Sequence, residues 1–213
     1  MSHASLPPAS LSAPGTDPAR FGILYADPPW RLGGGKGCPP YPCLCTGDIC
    51  ALPVEGIAAP DCALFLWAVY SHLPDALAVI RCWGFTYKTC AFTWVKRTPR
   101  DTGFFLGRGY WTHSNPEVCL LATRGRPERV GTGVANLVVS PRREHSRKPD
   151  EVRDRIVTVC GDLPRAELFA RQKVPGWSAW GNEVECDFAL IPGCDRSSIA
   201  EAPNRPALTG VRI

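Results

Sequence analysis

Short apolar runs that alternate with helical patterns constrain the fold of this 213-residue chain more than any other feature. Phe21–Ala26 and Cys62–Val69 are continuously apolar, which is typical of strands that are buried on both faces of a sheet. Leu73, Leu77 and Ile80 then recur at the spacing of one helix face. The alternation predicts an α/β fold with a mostly parallel sheet and helices on both faces.

The rest of the chain continues this pattern between two segments that have no apolar periodicity. Residues 1–20 and 191–213 are predicted to be disordered tails, which leaves one domain at residues 21–190. A glycine-rich, charged segment at residues 98–111 is predicted to be a loop. The other predicted strands are Phe85–Val95, Glu117–Ala122, Asn136–Ser140, Ala166–Ala170 and Ser178–Gly181; the other predicted helices are a short one within Thr46–Gly56, capped by Thr46, and one at Lys148–Cys160.

Charge and cysteine content favour a cytoplasmic protein that could bind nucleic acid, rather than a secreted or membrane protein. The chain has 24 basic and 20 acidic residues, and its formal charge of +4 permits a nucleic-acid partner without requiring one. Its 11 cysteines follow no secretion signal, so we expect reduced thiols and a cytoplasmic location. No apolar run reaches the roughly 18 residues of a membrane span, so no membrane partner is expected. No metal is predicted either, because the paired spacing of structural zinc sites is absent from Cys38, Cys43, Cys45 and Cys50.

The tetrapeptide Asp27-Pro28-Pro29-Trp30 directly follows the first predicted strand, at the end where parallel sheets bind ligands. The Asp27 carboxylate and the Pro28 carbonyl accept hydrogen bonds, and two adjacent prolines hold the backbone rigidly. Trp30 offers a broad aromatic face. Two acceptors beside an aromatic ring suit a flat base with an amino group, whose nitrogen lone pair they would direct at an electrophile. A simple turn after the strand is the alternative interpretation.

This tetrapeptide resembles the DPPW motif of the adenine-amine methyltransferases, a family that includes the catalytic subunit of the eukaryotic messenger-RNA adenosine methyltransferase. The resemblance covers roughly residues 23–183 and implies a Rossmann-like methyltransferase fold. It also implies S-adenosyl-L-methionine as the methyl donor and a permuted order, in which the catalytic motif precedes the cofactor strand. The segments that carry the resemblance in the family's order are Tyr41-Pro42 with Leu52-Pro53, KPDE at Lys148 to Glu151, ELFAR at Glu167 to Arg171, and Trp177 to Asn182.

The same resemblance implies roles for residues of the catalytic motif. Asp27 and Pro28 would hold the target amine, with Pro29 completing the motif. Trp30 would stack near the base, and Tyr41 would shape the catalytic pocket. Trp67, further along the chain, is as consistent with the core as with the pocket.

The implied cofactor contacts lie in the second half of the chain. Lys148 would pair with the methionine carboxylate of the cofactor, and Phe169 would line the pocket. Glu167 and Arg171 would contact the ribose region, and Asn182 and Glu183 would bind from the following turn. A solvated Lys148, an ion pair between Glu167 and Arg171, and Asn182 as a turn residue are the structural alternatives. Two departures from the family, Ala170 in place of Gly and Lys173 in place of the eukaryotic His, leave the cofactor affinity open.

A target adenine inside a duplex is out of reach, so such an enzyme must flip the base or act on a single strand. Trp111 and His113 lie in or beside the predicted loop and are candidate substrate contacts, as are Arg97 and Arg108. These two arginines belong to a first basic cluster that also includes Lys96 and Arg100. A second basic cluster consists of Arg142, Arg143 and Arg147. Phosphate binding is the functional interpretation of both basic groups, and a solvated surface is the structural one.

Together these features predict an S-adenosylmethionine-dependent methyltransferase of the N6 amine of adenine in nucleic acid, with DNA favoured over RNA. The alternatives are an RNA adenosine methyltransferase, a cytosine-N4 DNA methyltransferase and a catalytically silent nucleic-acid-binding subunit. No separate target-recognition domain is apparent, so specificity would be short or supplied by a partner. The sequence leaves room for a homodimer or a partner subunit.

Overall fold

Seven strands form one sheet in the computed structural model, which describes residues 20–31, 43–109, 111–144 and 147–190. The strands are β1 (Phe21–Ala26), β2 (Ala58–Ala68), β3 (Thr86–Arg97), β4 (Glu117–Arg124), β5 (Leu137–Pro141), β6 (Arg165–Leu168) and β7 (Ser178–Trp180). Their order across the sheet is β5-β3-β4-β2-β1-β6-β7. Only β4 runs antiparallel to its neighbours, β2 and β3, so the prediction of a mostly parallel sheet is confirmed.

Helices cover both faces of this sheet, also as predicted. They are α1 (Thr46–Cys50), α2 (Leu73–Cys82) and α3 (Glu151–Cys160). Leu24 of β1 packs in the core that includes α1 and α2, whereas its neighbour Tyr25 packs in the core that includes α3. Successive side chains of a strand point to opposite faces, so a continuously apolar strand can serve both cores.

The first helix differs from its prediction in two ways. The segment does not form one helix, because Pro53 separates α1 from a 3-10 turn at Val54–Gly56. The predicted cap at Thr46 is wrong. Cys45 is the N-cap and its thiol accepts a bond from the Asp48 amide, while the Thr46 hydroxyl bonds the Asp75 carboxylate at 3.0 Å.

Two further boundaries differ from the prediction near the end of the domain. Helix α3 begins at Glu151 rather than Lys148, because Lys148 is held by Asp27 and Glu117 and Asp150 occupies the N-cap position. Strand β6 ends at Leu168 rather than Ala170. Phe169 has a left-handed backbone conformation with a φ of 61°, which cannot continue a strand.

Several predictions fall on residues outside the described ranges. They are the two tails, apart from Arg20, and also Tyr41 and Cys38. No helix within the described ranges is both long and apolar enough to cross a membrane.

Candidate active site

The carboxyl ends of three parallel strands bring most of the predicted site residues to one edge of the sheet. Asp27 follows β1, Phe169 to Arg171 follow β6, and Asn182 and Glu183 follow β7. Because β6 pairs in parallel with both β1 and β7, these segments emerge side by side. Ligands of open α/β sheets bind at this edge.

A chain of alternating charges lies at its centre. The Lys148 ammonium contacts the Asp27 carboxylate at 2.6 Å and the Glu117 carboxylate at 3.0 Å. The other oxygen of Glu117 contacts the ammonium of Lys96 at 2.6 Å. The Lys148 and Glu117 side chains are each only 7% exposed, whereas Asp27 is 27% exposed and is therefore the member that a substrate can reach.

Burial and pairing shift these groups in different directions. Burial raises the pKa of Asp27 above its ordinary value, although the charge of Lys148 opposes the change. Burial would raise the pKa of Glu117 as well, but two neighbouring lysines outweigh it and lower that pKa. Burial disfavours the charged form of Lys148, yet the two carboxylates outweigh it and raise its pKa, so the ammonium persists at neutral pH.

Sequence analysis missed Glu117, and it placed Lys96 among the candidate phosphate contacts rather than beside this carboxylate. A signal was present: Glu117 begins an otherwise apolar run, and a carboxylate that is buried by its strand requires a cationic partner. Sequence spacing alone could not identify that partner, because Lys148 comes from a loop after a different strand.

An aromatic floor lies beneath the ammonium of Lys148. Its nitrogen is 5.5 Å from the centre of the Trp67 ring, and the Trp67 indole donates a hydrogen bond of 2.7 Å to the Tyr25 hydroxyl. Trp67 is fully buried, so of the two interpretations the structure supports the core. The Trp67 ring still helps to position the Lys148 ammonium, because a cation over an aromatic face is attracted to it.

The tetrapeptide Asp27 to Trp30 is held by backbone hydrogen bonds, one within it and one from Leu44. The Pro28 carbonyl accepts a 2.8 Å bond from the Trp30 amide, and the Pro29 carbonyl accepts a 2.9 Å bond from Leu44. Trp30 is only 7% exposed, and its indole donates a 3.0 Å bond to the Trp67 carbonyl. The ring therefore lies within the core, and its stacking near a base stays a prediction.

Glu167, the predicted ribose contact, pairs with Arg153 and not with Arg171, the partner considered in the sequence analysis. Arg153 of α3 donates two bonds to the two oxygens of Glu167, at 2.7 and 2.8 Å. Arg171 instead lies 3.7 Å from Glu183. Each oxygen of a carboxylate has a second lone pair, so Glu167 can still accept a bond from a ligand.

The turn after β6 packs closely on the end of β7. The Ala170 amide donates a 2.9 Å bond to the Trp180 carbonyl, and the Phe169 ring meets the Trp180 ring edge-on at 5.5 Å. A methyl group on Gly181 would lie 2.2 Å from the Ala170 carbonyl, so only glycine fits there. Ala170 is not among the described non-glycine residues with positive φ, so its methyl group is compatible with the turn.

A cleft of about 560 Å³ opens beside these residues. Its lining includes Gln172, which follows Arg171 along the chain, and Arg153, the partner of Glu167. Trp177 also lines it, with the Arg165 guanidinium 5.7 Å from its ring. The volume lies in the range of small-molecule pockets. Within the described ranges no group of three or more His, Cys, Asp or Glu could hold a metal ion.

The predicted substrate contacts within the described ranges lie at the end of β3, next to Lys96, and on the loop between β3 and β4. Trp111 is 91% exposed and Phe104 is 60% exposed. His113 contacts the Gly107 carbonyl at 3.2 Å, and Arg108 is exposed. Arg97 pairs with Asp101 and lies over Phe104. The loop therefore presents aromatic rings and arginines to solvent.

Comparison with known proteins identifies the family. A model of the MT-A70 family matches residues 21–183, from the first strand to just beyond the last. The chain belongs to the MT-A70 family. The resemblance carried by Asp27 to Trp30 is thereby confirmed, and the fold is that of a Rossmann-like methyltransferase.

Individual relatives differ in how much of their length the chain spans. The type II methyltransferase M.MunI from Mycoplasma sp is 30% identical over 197 residues, which cover 81% of this chain and 82% of that protein. The catalytic subunit METTL3 of the N(6)-adenosine-methyltransferase from Homo sapiens is 27% identical over 177 residues, covering 81% of this chain and 30% of that protein. A putative N(6)-adenosine-methyltransferase MT-A70-like protein from Medicago truncatula is 30% identical over 169 residues, covering 78% of this chain and 26% of that protein. The chain thus spans most of the bacterial relative and less than a third of the eukaryotic ones.

Proposed function

We propose that this MT-A70 protein transfers a methyl group from S-adenosyl-L-methionine to the N6 amine of adenine in nucleic acid, with DNA favoured. The observation that carries the proposal is the Asp27–Lys148–Glu117 cluster, which holds a carboxylate oxygen rigidly at the ligand edge of the sheet. The preference for DNA rests on length, since the chain matches 82% of the compact bacterial type II methyltransferase.

Asp27 has two tasks in this chemistry. Lys148 holds its Oδ2, and we assign its Oδ1 to an amine hydrogen of the base. The Pro28 carbonyl, which has a second lone pair beside its bond to Trp30, accepts the other hydrogen. These two acceptors direct the nitrogen lone pair away from the ring and towards the methyl donor. After transfer, the nitrogen's surplus proton passes to Asp27.

The cofactor supplies an electrophilic methyl group on a sulfonium. The residues at the ends of β6 and β7 offer the donors and acceptors that its polar groups require: an aromatic wall at Phe169, a cation at Arg171, a carboxylate at Glu183 and an amide at Asn182. The neighbouring cleft has room for a ligand of nucleoside size. In the described structure Lys148 is occupied by two carboxylates, and its binding to the methionine carboxylate remains part of the proposal.

A catalytically silent subunit is the second candidate. Its favouring observation is that Lys148, the candidate partner of the cofactor's methionine carboxylate, is paired with the carboxylates of Asp27 and Glu117. Cofactor binding distinguishes the two, because a silent subunit would not bind S-adenosyl-L-methionine. A cytosine-N4 enzyme would use the same acceptors, and the methylated nucleoside identifies it.

The direct test uses cofactor with a labelled methyl group, unmethylated bacterial DNA and matched RNA. After digestion to nucleosides, mass spectrometry should find the label in N6-methyladenine from DNA. Label only in RNA would move the substrate assignment to RNA. Label in cytosine, or no label despite both polymers being bound, would contradict the proposed activity.

Activity should depend on pH through Asp27, which must be ionised to accept the amine hydrogens. Its raised pKa means that activity falls with decreasing pH while the pH is still above about 4, the ordinary value for a carboxyl group. Lys148, whose pKa is raised, stays protonated and adds no loss near neutrality. A profile of kcat against pH checks this, and a rate that stays constant down to about pH 4 would contradict it.

Activity should also fall as salt rises, because arginine contacts with phosphates release counterions. The double variant Arg97→Gln/Arg108→Gln should make the slope of log(kcat/KM) against log[salt] less steep by about two, because each lost phosphate contact reduces that slope by about one. Lys88→Gln is the control, since Lys88 is an exposed basic residue at the other end of β3. An unchanged slope in the double variant would remove both arginines from the nucleic-acid interface.

A further inference from the structure

The Asp150 carboxylate binds three arginines, although the residue occupies the N-cap position of a helix. It occupies the N-cap position of α3, where an aspartate normally accepts a bond from the helix backbone, yet its side chain makes no capping bond. Its carboxylate instead accepts bonds from Arg143, from Arg147 at 2.8 and 3.0 Å, and from Arg153 at 3.0 Å. The residue serves the surrounding side chains rather than the helix.

The three arginines lead in two directions. Arg143 and Arg147 belong to the connection between β5 and α3, and the side chain of each is 43% exposed, so each can also receive a phosphate. Arg153 is only 8% exposed and uses its remaining two nitrogens on Glu167, the candidate ribose contact. Asp150 therefore contacts both groups.

We propose that Asp150 is a positioning residue for both halves of the site. It holds Arg143 and Arg147 in place for nucleic acid, and it holds Arg153 in the orientation that clamps Glu167. The proposal rests on the proposed function, because it assigns nucleic acid to the first group and the cofactor to the second. It also divides the basic cluster predicted from the sequence, since Arg142 lies over Phe105 at 4.6 Å and belongs with the β3–β4 loop.

The geometry explains why one carboxylate can do this. An arginine has nitrogens pointing in fixed directions, so a bond at one edge of Arg153 sets the orientation of the edge that faces Glu167. Without Asp150 the Nη1 edge of Arg153 loses its partner. The guanidinium can then turn, and one of its two bonds to Glu167 weakens.

Equilibrium binding of the full chain tests the proposal without relying on turnover. S-Adenosylhomocysteine binding is measured by calorimetry, and binding of a labelled single-stranded oligonucleotide by fluorescence anisotropy. Asp150→Asn should raise both Kd values about threefold to tenfold, because a neutral amide binds the three arginines more weakly than the Asp150 carboxylate does. Glu151→Gln is the matched control: it removes a charge from the same helix turn and a similarly exposed ion pair, with Arg155, and should change either Kd less than about twofold.

Single variants of the arginines separate the two halves. Arg153→Lys should weaken only the binding of S-adenosylhomocysteine, since lysine cannot make the paired bonds to Glu167. Arg143→Gln should weaken only the binding of the oligonucleotide. If Asp150→Asn unfolds the chain, Arg147→Gln tests the first half while leaving Arg153 and Asp150 in contact.

The outcomes are distinct. Unchanged Kd values in a folded Asp150→Asn protein, or equal losses in Glu151→Gln, would overturn the positioning role. A wild-type protein that binds neither ligand would instead contradict the proposed function itself.

Discussion

Asp27→Ala should reduce methyl transfer about a hundredfold to a thousandfold, the range observed when one preorganised polar group of an active site is removed. The variant deletes the carboxylate that receives the amine hydrogens, whereas the candidate cofactor residues after β6 and β7 are untouched. Cofactor binding should therefore change little. The measurements are kcat from the labelled-methyl assay and the Kd of S-adenosylhomocysteine.

Two further variants sharpen that result. Asp27→Asn keeps the shape but replaces one acceptor oxygen by a donor, so it should lose nearly as much activity as Asp27→Ala. Asp61→Asn is the control, because Asp61 is exposed at the opposite end of the sheet, where it accepts a bond from the Arg126 amide. Normal methylation by Asp27→Ala would show that another group receives the amine.

Lys148→Met should have the second large effect, on stability as well as on activity. Lys148 is the shared partner of Asp27 and Glu117, and its removal leaves two nearby carboxylates without the ammonium between them. Breaking a buried ion pair at one partner costs about 3 to 5 kcal/mol in the free energy of unfolding. Chemical denaturation measures this loss, and calorimetry with S-adenosylhomocysteine measures the expected weakening of cofactor binding.

A double variant separates the two consequences. Lys148→Met/Glu117→Gln relieves the repulsion between the carboxylates, so part of the stability should return, whereas cofactor binding should stay weak. Lys88→Met is the control for replacing a lysine at an exposed position. An unchanged cofactor Kd in Lys148→Met would remove Lys148 from the cofactor site, whatever happens to stability.

The sequence was sufficient for the strands because their apolar runs are long enough to exclude other structures. Phe21–Ala26 was predicted with the observed bounds, and the other predicted strands differ by a few residues at their ends. Local bonding explains the errors. A thiol at Cys45 caps α1 although cysteine is not a usual cap, and the left-handed Phe169 ends β6 at a position where apolar periodicity continues.

The site was less accessible to sequence reasoning, because its partners come from distant segments. The segments containing Asp27, Lys148 and Glu167 were identified through motifs, and the sheet brings them to one edge. Their contacts were not predictable: Lys148 bridges two carboxylates, and Glu167 takes Arg153 rather than Arg171. Such pairings depend on side-chain directions across three strands and a helix, which no spacing along the chain encodes.

The connection between β6 and β7 has a consequence for inhibitor selectivity. Parallel neighbours are usually joined through a helix that packs on the sheet, but residues 169–177 cross over without one. The space that a helix would fill adjoins the cleft, which is lined there by Lys173 and Arg165 and on its other side by residues of α3. A ligand of the proposed cofactor site with an anionic arm that extends into the cleft would meet Lys173, a position at which the family resemblance implies histidine in the eukaryotic enzymes. Such a compound should discriminate between family members through residues that take no part in methyl transfer.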